Sequence, residues 1–294
     1  MDINAQNSGE ELQPDILVVD PKFFEVDYEI NPYMDEEVEV DSEEARNQHE
    51  ELVKKYRDEL GLDVHVVDPV EGLPDMVFAA NHGFAYKDSG KVKVLPAKME
   101  HEEREDEVEP VMRELEELGF EVLEQPEYVF EGSGDAMQHP EQGKIWVGHG
   151  QRTEGEAVER IQETTGLETV GVELETEHFY HLDTCFEHLD KDTALVNPEA
   201  INEEDLSKIE DVYEKTIEVA PDEADKMAGN AHCPDGKNII IHEEAEKTAN
   251  ELDSKGYNVI TTDTSEYLKS GGSVYCMKLQ LSDLTTKKAE QTLH

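Results

Sequence analysis

The sequence predicts an α/β protein built from five similar modules around an axis, with functional loops meeting at the centre. Three observations carry this. A phrase of amphipathic helix, turn residue and short strand recurs five times, at spacings in the range of structural repeats. Further short apolar strands lie between the phrases, so each module reads as two or three strands plus a helix. Neither G-x-G-x-x-G after the first strand nor G-x-x-x-x-G-K-S/T occurs, which removes the usual support for a nucleotide-binding sheet. Strand–helix alternation alone is also compatible with an ordinary doubly wound sheet.

Residues 1–14 are polar and aperiodic and are expected as a flexible acidic tail ahead of a single catalytic domain over 15–294. Asp15–Asp20 reads as a buried strand, and Phe24–Met34 alternates before breaking at Asn31-Pro32. The first phrase is a charged helix over Ser42–Leu60, with Ser42 as N-cap and Gly61 just past its end, followed by strand Val64–Val67. The second runs Val111–Leu118, Gly119, Phe120–Leu123. The third runs Ala157–Thr165, Gly166, Val170–Leu174. The fourth, without a glycine, runs Ile209–Lys215 into Ile217–Ala220, and the fifth runs Ala245–Lys255, Gly256, Tyr257–Thr261. The intervening strands are Val92–Leu95, Lys144–Val147, Thr193–Val196 and Asn238–Ile241.

With 73 acidic residues against 25 basic ones, the net charge is −48. Such a polyanion repels nucleic acid and anionic lipid, so neither is an expected partner. Apolar periodicity argues against disorder, and the composition suits an acidic solvated surface in concentrated salt, as in a halophile. Cys185, Cys233 and Cys276 cannot pair evenly and show no C-x-x-C spacing. No apolar run approaches membrane-spanning length, and a cytoplasmic protein is expected.

Chemistry-bearing residues concentrate in five places. His178–His188 reads H-F-Y-H-L-D-T-C-F-E-H. As a strand it would align His181, Asp183 and Cys185 on one face, either as metal ligands or as an acid/base beside a charge clamp. Ser270–Leu279 (S-G-G-S-V-Y-C-M-K-L) leads two glycines into an apolar strand carrying Cys276, a nucleophile or a small buried hydrophobe. Tyr128–Met137 places Glu131 and Asp135 around a Gly-Ser-Gly turn, where carboxylates can orient a histidine or sit in solvent. Leu73–Gly83 spaces Asp75, Phe78 and Asn81 three apart in an apolar run, where polar groups need a bonded partner or a ligand. Arg152 suits a substrate carboxylate or a surface ion pair.

Four stretches, P-D-M-V-F-A-A-N-H-G, F-E-G-S-G-D, H-L-D-T-C-F and G-G-S-V-Y-C-M, together resemble the guanidino-group-modifying enzymes. These include arginine deiminase, dimethylarginine dimethylaminohydrolase and the arginine:glycine amidinotransferases. The arginine dihydrolase branch is most similar, with Ile30–Met34 (I-N-P-Y-M) matching its I-N-P-W-M apart from Tyr33, and an R-T-E segment at Arg152–Glu154. The resemblance spans roughly Ile16 to Leu281 and implies a five-bladed α/β-propeller (pentein) of ββαβ-type modules.

It further implies Cys276 as nucleophile, His181 as general acid/base and Glu131 as its orienting carboxylate. Asp183 would grip the guanidinium. Asp75, Phe78 and Asn81 would line the substrate, Arg152 would meet its carboxylate, and Asn31 and Asn230 would make lesser contacts. No metal or cofactor is implied, the partner being a free guanidino amino acid, with room for a homo-oligomer. Expected products are ornithine, carbon dioxide and ammonia, or citrulline; the alternatives are a dimethylargininase releasing an alkylamine and an inactive arginine-binding protein. Deiminases that stop at citrulline carry aspartate where Asn81 stands, and an asparagine, which donates as well as accepts, could also hold a neutral ureido group.

Overall fold

Each helix–strand phrase closes a small sheet, and the structure, a computed structural model that describes residues 13–282, contains five of them. β1 (Ile16–Val19) and β2 (Val64–Val67) are parallel, joined through helix Ser42–Lys54. The antiparallel hairpin β3–β4 (Gly83–Asp88, Lys91–Pro96) crosses over helix Val108–Glu117 to β5 (Glu121–Val122), parallel to β4. The same antiparallel-then-parallel order recurs in β6 (Ala136–Gln138), β7 (Ile145–His149), helix Ala157–Thr165 and β8 (Thr169–Glu173). It recurs again in β9 (Phe186–His188), β10 (Thr193–Val196), helix Glu203–Val212 and β11 (Lys215–Glu218).

β12 (Asn238–His242) and β13 (Asn258–Thr262) flank helix Glu246–Ser254, and a single antiparallel bridge from His232 to Ile240 stands in for the missing inner strand. The first sheet obtains its inner strand from the far end of the chain: β14 (Leu279–Gln280) pairs antiparallel with β1. The ends of the described chain are thereby tied together. The repeated connection follows from chemistry: a parallel pair needs a crossover, and an amphipathic helix supplies one while covering the sheet.

Several expectations need correction. Asp41, not Ser42, caps the first helix, its Oδ1 accepting from the Glu43 and Glu44 N–H groups. That helix becomes a π-turn over Lys55–Glu59 before Gly61, whose φ of +69° ends it. The fourth helix begins six residues earlier than expected, at Glu203, capped by Asn202. Phe24–Met34 alternates without pairing; among the described residues it forms no strand, and Phe24 stacks on Tyr267 in the core. Most of the tail expected over 1–14 lies outside the described residues. Its end does not behave as a tail: Pro14 is buried and the Gln13 amide donates to the Gly119 carbonyl. Among the described residues, no helix is long and apolar enough to cross a membrane.

Candidate active site

Glu131 stands at the start of a tight turn, Gly132–Gly134, that the Gly-Ser-Gly sequence makes possible. Gly132 has φ +60°, and a Cβ on Gly134 would come within 2.4 Å of the Asn81 Nδ2 and 3.4 Å of the His181 ring. The turn therefore lies flush against both side chains. Glu131 is fully buried; its Oε1 accepts the Glu100 N–H at 3.0 Å, and its Oε2 meets Arg152 Nη1 at 3.2 Å and His181 Nε2 at 2.5 Å. Burial alone would raise this carboxyl, but Arg152, then His181, reverse the effect and hold it well below the usual range. The ionised carboxylate accepts a hydrogen bond from the His181 Nε2–H. The other ring nitrogen, Nδ1, meets the Asn81 amide nitrogen at 3.4 Å, a long contact that a ligand's proton can replace.

His178–His188 is not the strand that its alternation suggested. Two 3₁₀ turns, Glu177–Phe179 and Leu182–Thr184, precede β9, because the Asp135 carboxylate pins the Leu182 N–H at 3.0 Å and the Thr184 hydroxyl donates to the His181 carbonyl at 2.7 Å. The turns still bring His181 and Asp183 into the interior. Cys185 is also buried, but its thiol faces the His181 and Leu182 carbonyls, while His178 rests edge-on against the Tyr33 ring.

Cys276 likewise lies in a turn and not in a strand, and Asn230 is the reason. The Asn230 Oδ1 accepts the N–H groups of Ser273, Tyr275 and Cys276 at 3.1–3.2 Å, curling the chain around it. The Asn230 Nδ2 donates to the Asp183 carbonyl at 2.9 Å and to the Cys276 sulfur at 3.1 Å. Both amide hydrogens are therefore occupied, and Asn230, expected as a lesser substrate contact, holds the turn that carries Cys276. The Cys276 thiol donates to Asp183 Oδ2 at 3.3 Å. Burial, and next the Asp183 carboxylate, push this thiol well above its ordinary pKa, so its resting form is neutral. Burial pushes the Asp183 carboxyl up to about 7, against the Cys276 hydrogen bond and the Lys278 ammonium. Its Oδ1 is buried and has no hydrogen-bond partner among the described residues.

Asp75 accepts from the Ser270 hydroxyl at 2.8 Å and the Tyr28 phenol at 2.9 Å; burial raises its carboxyl to about 6 despite Arg104. Asn81 turns its Oδ1 to Arg104 Nη1 at 3.1 Å, which fixes its amide to face His181. Arg104 is itself buried against Glu107. The Phe78 ring fills the space that a side chain on Gly272 would need, 2.2 Å from where its Cβ would stand. Asn31 donates from Nδ2 to the Ser270 carbonyl at 3.0 Å. Arg152 also donates to the Ile30 carbonyl at 2.8 Å and stacks over Tyr180.

Chain folding thus gathers two hydrogen-bonded groups, Cys276 with Asp183 and Asn230, and Glu131 with His181, Asn81 and Arg152, which the short His181–Asp183 segment joins through the chain. Asp75, Asn31 and Phe78 lie around the Ser270–Gly272 loop, and Arg152 lies behind Glu131. Tyr180, whose hydroxyl donates to the Gly271 carbonyl at 2.6 Å, Arg104 and Lys278 are additional members that the sequence reading did not select. Only the scarcity of basic residues could have flagged the two cations. The arrangement offers a thiol, an acceptor oxygen without a donor, and a histidine with one nitrogen available, as acyl-type transfer from a planar cation requires.

Comparisons with known proteins place this geometry in a family. A dimethylarginine dimethylaminohydrolase from Mycobacterium tuberculosis is 34% identical over 89% of this chain and 83% of its own length. A bifunctional arginine dihydrolase/ornithine cyclodeaminase, ArgZ, from Synechocystis is 32% identical over 91% of this chain but only 38% of its own. The crystal structure of the N-terminal domain of cyanobacterial ArgZ, a cysteine-to-serine variant bound to substrate, superposes with a TM-score of 0.83 at 33% identity. It covers 91% of this chain and 98% of that domain. The family model for N,N dimethylarginine dimethylhydrolase, eukaryotic, matches residues 13–282, and the chain belongs to that family.

Proposed function

We propose that this protein is a metal-independent hydrolase of free arginine's guanidinium, working through a covalent adduct on Cys276. The observation that carries the reading is the unpartnered, buried Asp183 Oδ1 beside the Cys276 thiol. A guanidinium donates in the plane that such a carboxylate accepts, and binding there would set its central carbon beside sulfur. The arriving cation would favour ionisation of both Asp183 and Cys276, offsetting the burial that keeps the thiol neutral. The thiolate then adds to the carbon, His181 protonates one nitrogen, and ammonia leaves from the tetrahedral adduct. Water, deprotonated by His181, attacks the resulting S-alkylthiouronium and gives citrulline.

A second round on the neutral ureido group would release another ammonia, then ornithine and carbon dioxide. Asn81 supports this step, since its amide donates where an aspartate would only accept. In the same proposal the five sheets are the blades of a propeller on one axis, residues 15–294 form the single catalytic domain, and the protein acts in the cytoplasm of a halophile. The family match and the mycobacterial relative favour a second reading, dimethylargininase, giving citrulline and an alkylamine.

Product identification by mass spectrometry, with arginine, citrulline and dimethylarginine supplied separately in high salt, tests the proposal. Ornithine from both arginine and citrulline is the expected result, with Asn81→Asp stopping at citrulline. Turnover of dimethylarginine alone would establish the second reading, and no turnover of any guanidine would refute both. If Asn81→Asp makes ornithine as well as the unaltered enzyme, the role given to Asn81 is wrong.

A further inference from the structure

Strands β3, β6, β9 and β14 border a cleft of about 220 Å³ that Cys276, His181 and Asp183 do not line. Two of its lining residues, Lys278 and Glu187, are each only 1% exposed, one a base and the other an acid. No ion pair within 4.0 Å joins them among the described residues. The Lys278 ammonium sits 3.1 Å from the centre of the Tyr275 ring, which also borders the cleft. Glu187 spends Oε1 on the Cys233 N–H at 2.9 Å, whereas Oε2 is buried with no hydrogen-bond partner among the described residues.

A buried ammonium and a buried carboxylate that face one cleft without touching are an incomplete arrangement, because each charge is stabilised only when paired. One bridging water fills about 30 Å³, far less than this space. An α-amino acid carries an ammonium and a carboxylate on one carbon, and its net charge of zero matches that of the pair.

We propose that this cleft is a binding site for a small α-amino acid zwitterion, its carboxylate on Lys278 and its ammonium on Glu187 Oε2. Burial moves both groups toward their neutral forms, Lys278 down to about 8 against the pull of Glu187, Asp183 and Cys276, and Glu187 up to about 8 against the pull of Lys278 and the Cys233 N–H; a zwitterion between them would restore both charges. Lys278 also acts on Asp183, so the cleft adjoins the candidate active site, and the test reads glycine binding alone, without turnover.

Glycine and L-alanine are titrated into the full chain by isothermal calorimetry, with acetate and methylamine as half-ligands. The variants are Lys278→Met, Glu187→Gln and, in the candidate active site, Asn81→Ser. Saturable glycine binding is expected, at least tenfold weaker in the first two variants and unchanged in Asn81→Ser, with each half-ligand at least tenfold weaker than glycine. Circular dichroism checks that every variant folds. Should Lys278→Met unfold, Glu187→Gln, which keeps the acceptor for Cys233, decides. Absence of saturable binding, acetate binding as tightly as glycine, or binding insensitive to both cleft substitutions would overturn the proposal.

Discussion

Asp183 condenses the proposed chemistry into one side chain, because the burial that would make it a strong receptor for a cation makes it a poor contributor to folding. Its carboxyl is raised to about 7, so ionisation works against the folded state. The penalty is absent below about pH 3, where the carboxyl is protonated folded and unfolded, grows as pH climbs, and is constant above the folded value. It comes to about 1.5 kcal/mol at pH 5 and about 4 kcal/mol at pH 8. Asp183→Asn should therefore stabilise the protein more at pH 8 than at pH 5 while reducing turnover at least about hundredfold. Thermal unfolding at the two pH values checks this; equal shifts, or a loss of stability at pH 8, would contradict it.

At this scale the sequence was informative where residue type dictates chemistry. A cysteine, a histidine and a glutamate in recognisable motifs were legible. Asn230 was legible as a candidate but not in its role, because three N–H groups converge on its Oδ1 only after the chain from Ser273 to Cys276 has curled around it. Lys278 follows Cys276 by two residues, yet nothing in a local pattern reveals that its ammonium will be buried.

Among elements, the helices and the strands around them were readable from periodicity, while the short turns that carry the site were not. Alternation over His178–His188 suggested a strand. Asp135, 47 positions upstream of Leu182, captures a backbone N–H there and imposes a 3₁₀ turn, a tertiary contact that local propensity cannot encode. The Gly132–Gly134 turn shows the converse, since its glycines announced a close approach without saying to what. Gly134→Ala would drive a Cβ to 2.4 Å from the Asn81 amide and disturb its line to His181. A loss of about 10- to 100-fold in kcat/KM is expected, with the far-ultraviolet spectrum unchanged. Full activity in this variant would show that the turn does not position the pair.

Over the whole molecule, five β-sheets with the same helix crossover were anticipated as repeats, but the strand pairing that completes the first sheet was not. β1 borrows its antiparallel partner from β14, more than 260 residues away, and no pattern within either strand signals the pairing. Charge acts at this scale too. A net −48 repels itself across the surface, and 1 M salt shortens the screening length from about 10 Å at 0.1 M to about 3 Å. Raising potassium chloride from 0.1 to 1 M should raise the unfolding temperature by at least about 10 °C, read by differential scanning calorimetry. A flat or falling midpoint would remove the halophilic interpretation.

The molecule's proposed function converges on a single sulfur, and its reaction with an amidine electrophile is the most direct test. Intact-mass and peptide mapping after brief exposure to 2-chloroacetamidine should find one adduct, on Cys276, formed faster than on Cys185 or Cys233 and slowed by arginine. Equal labelling of all three cysteines, or labelling of Cys276 that arginine leaves unchanged, would contradict the account.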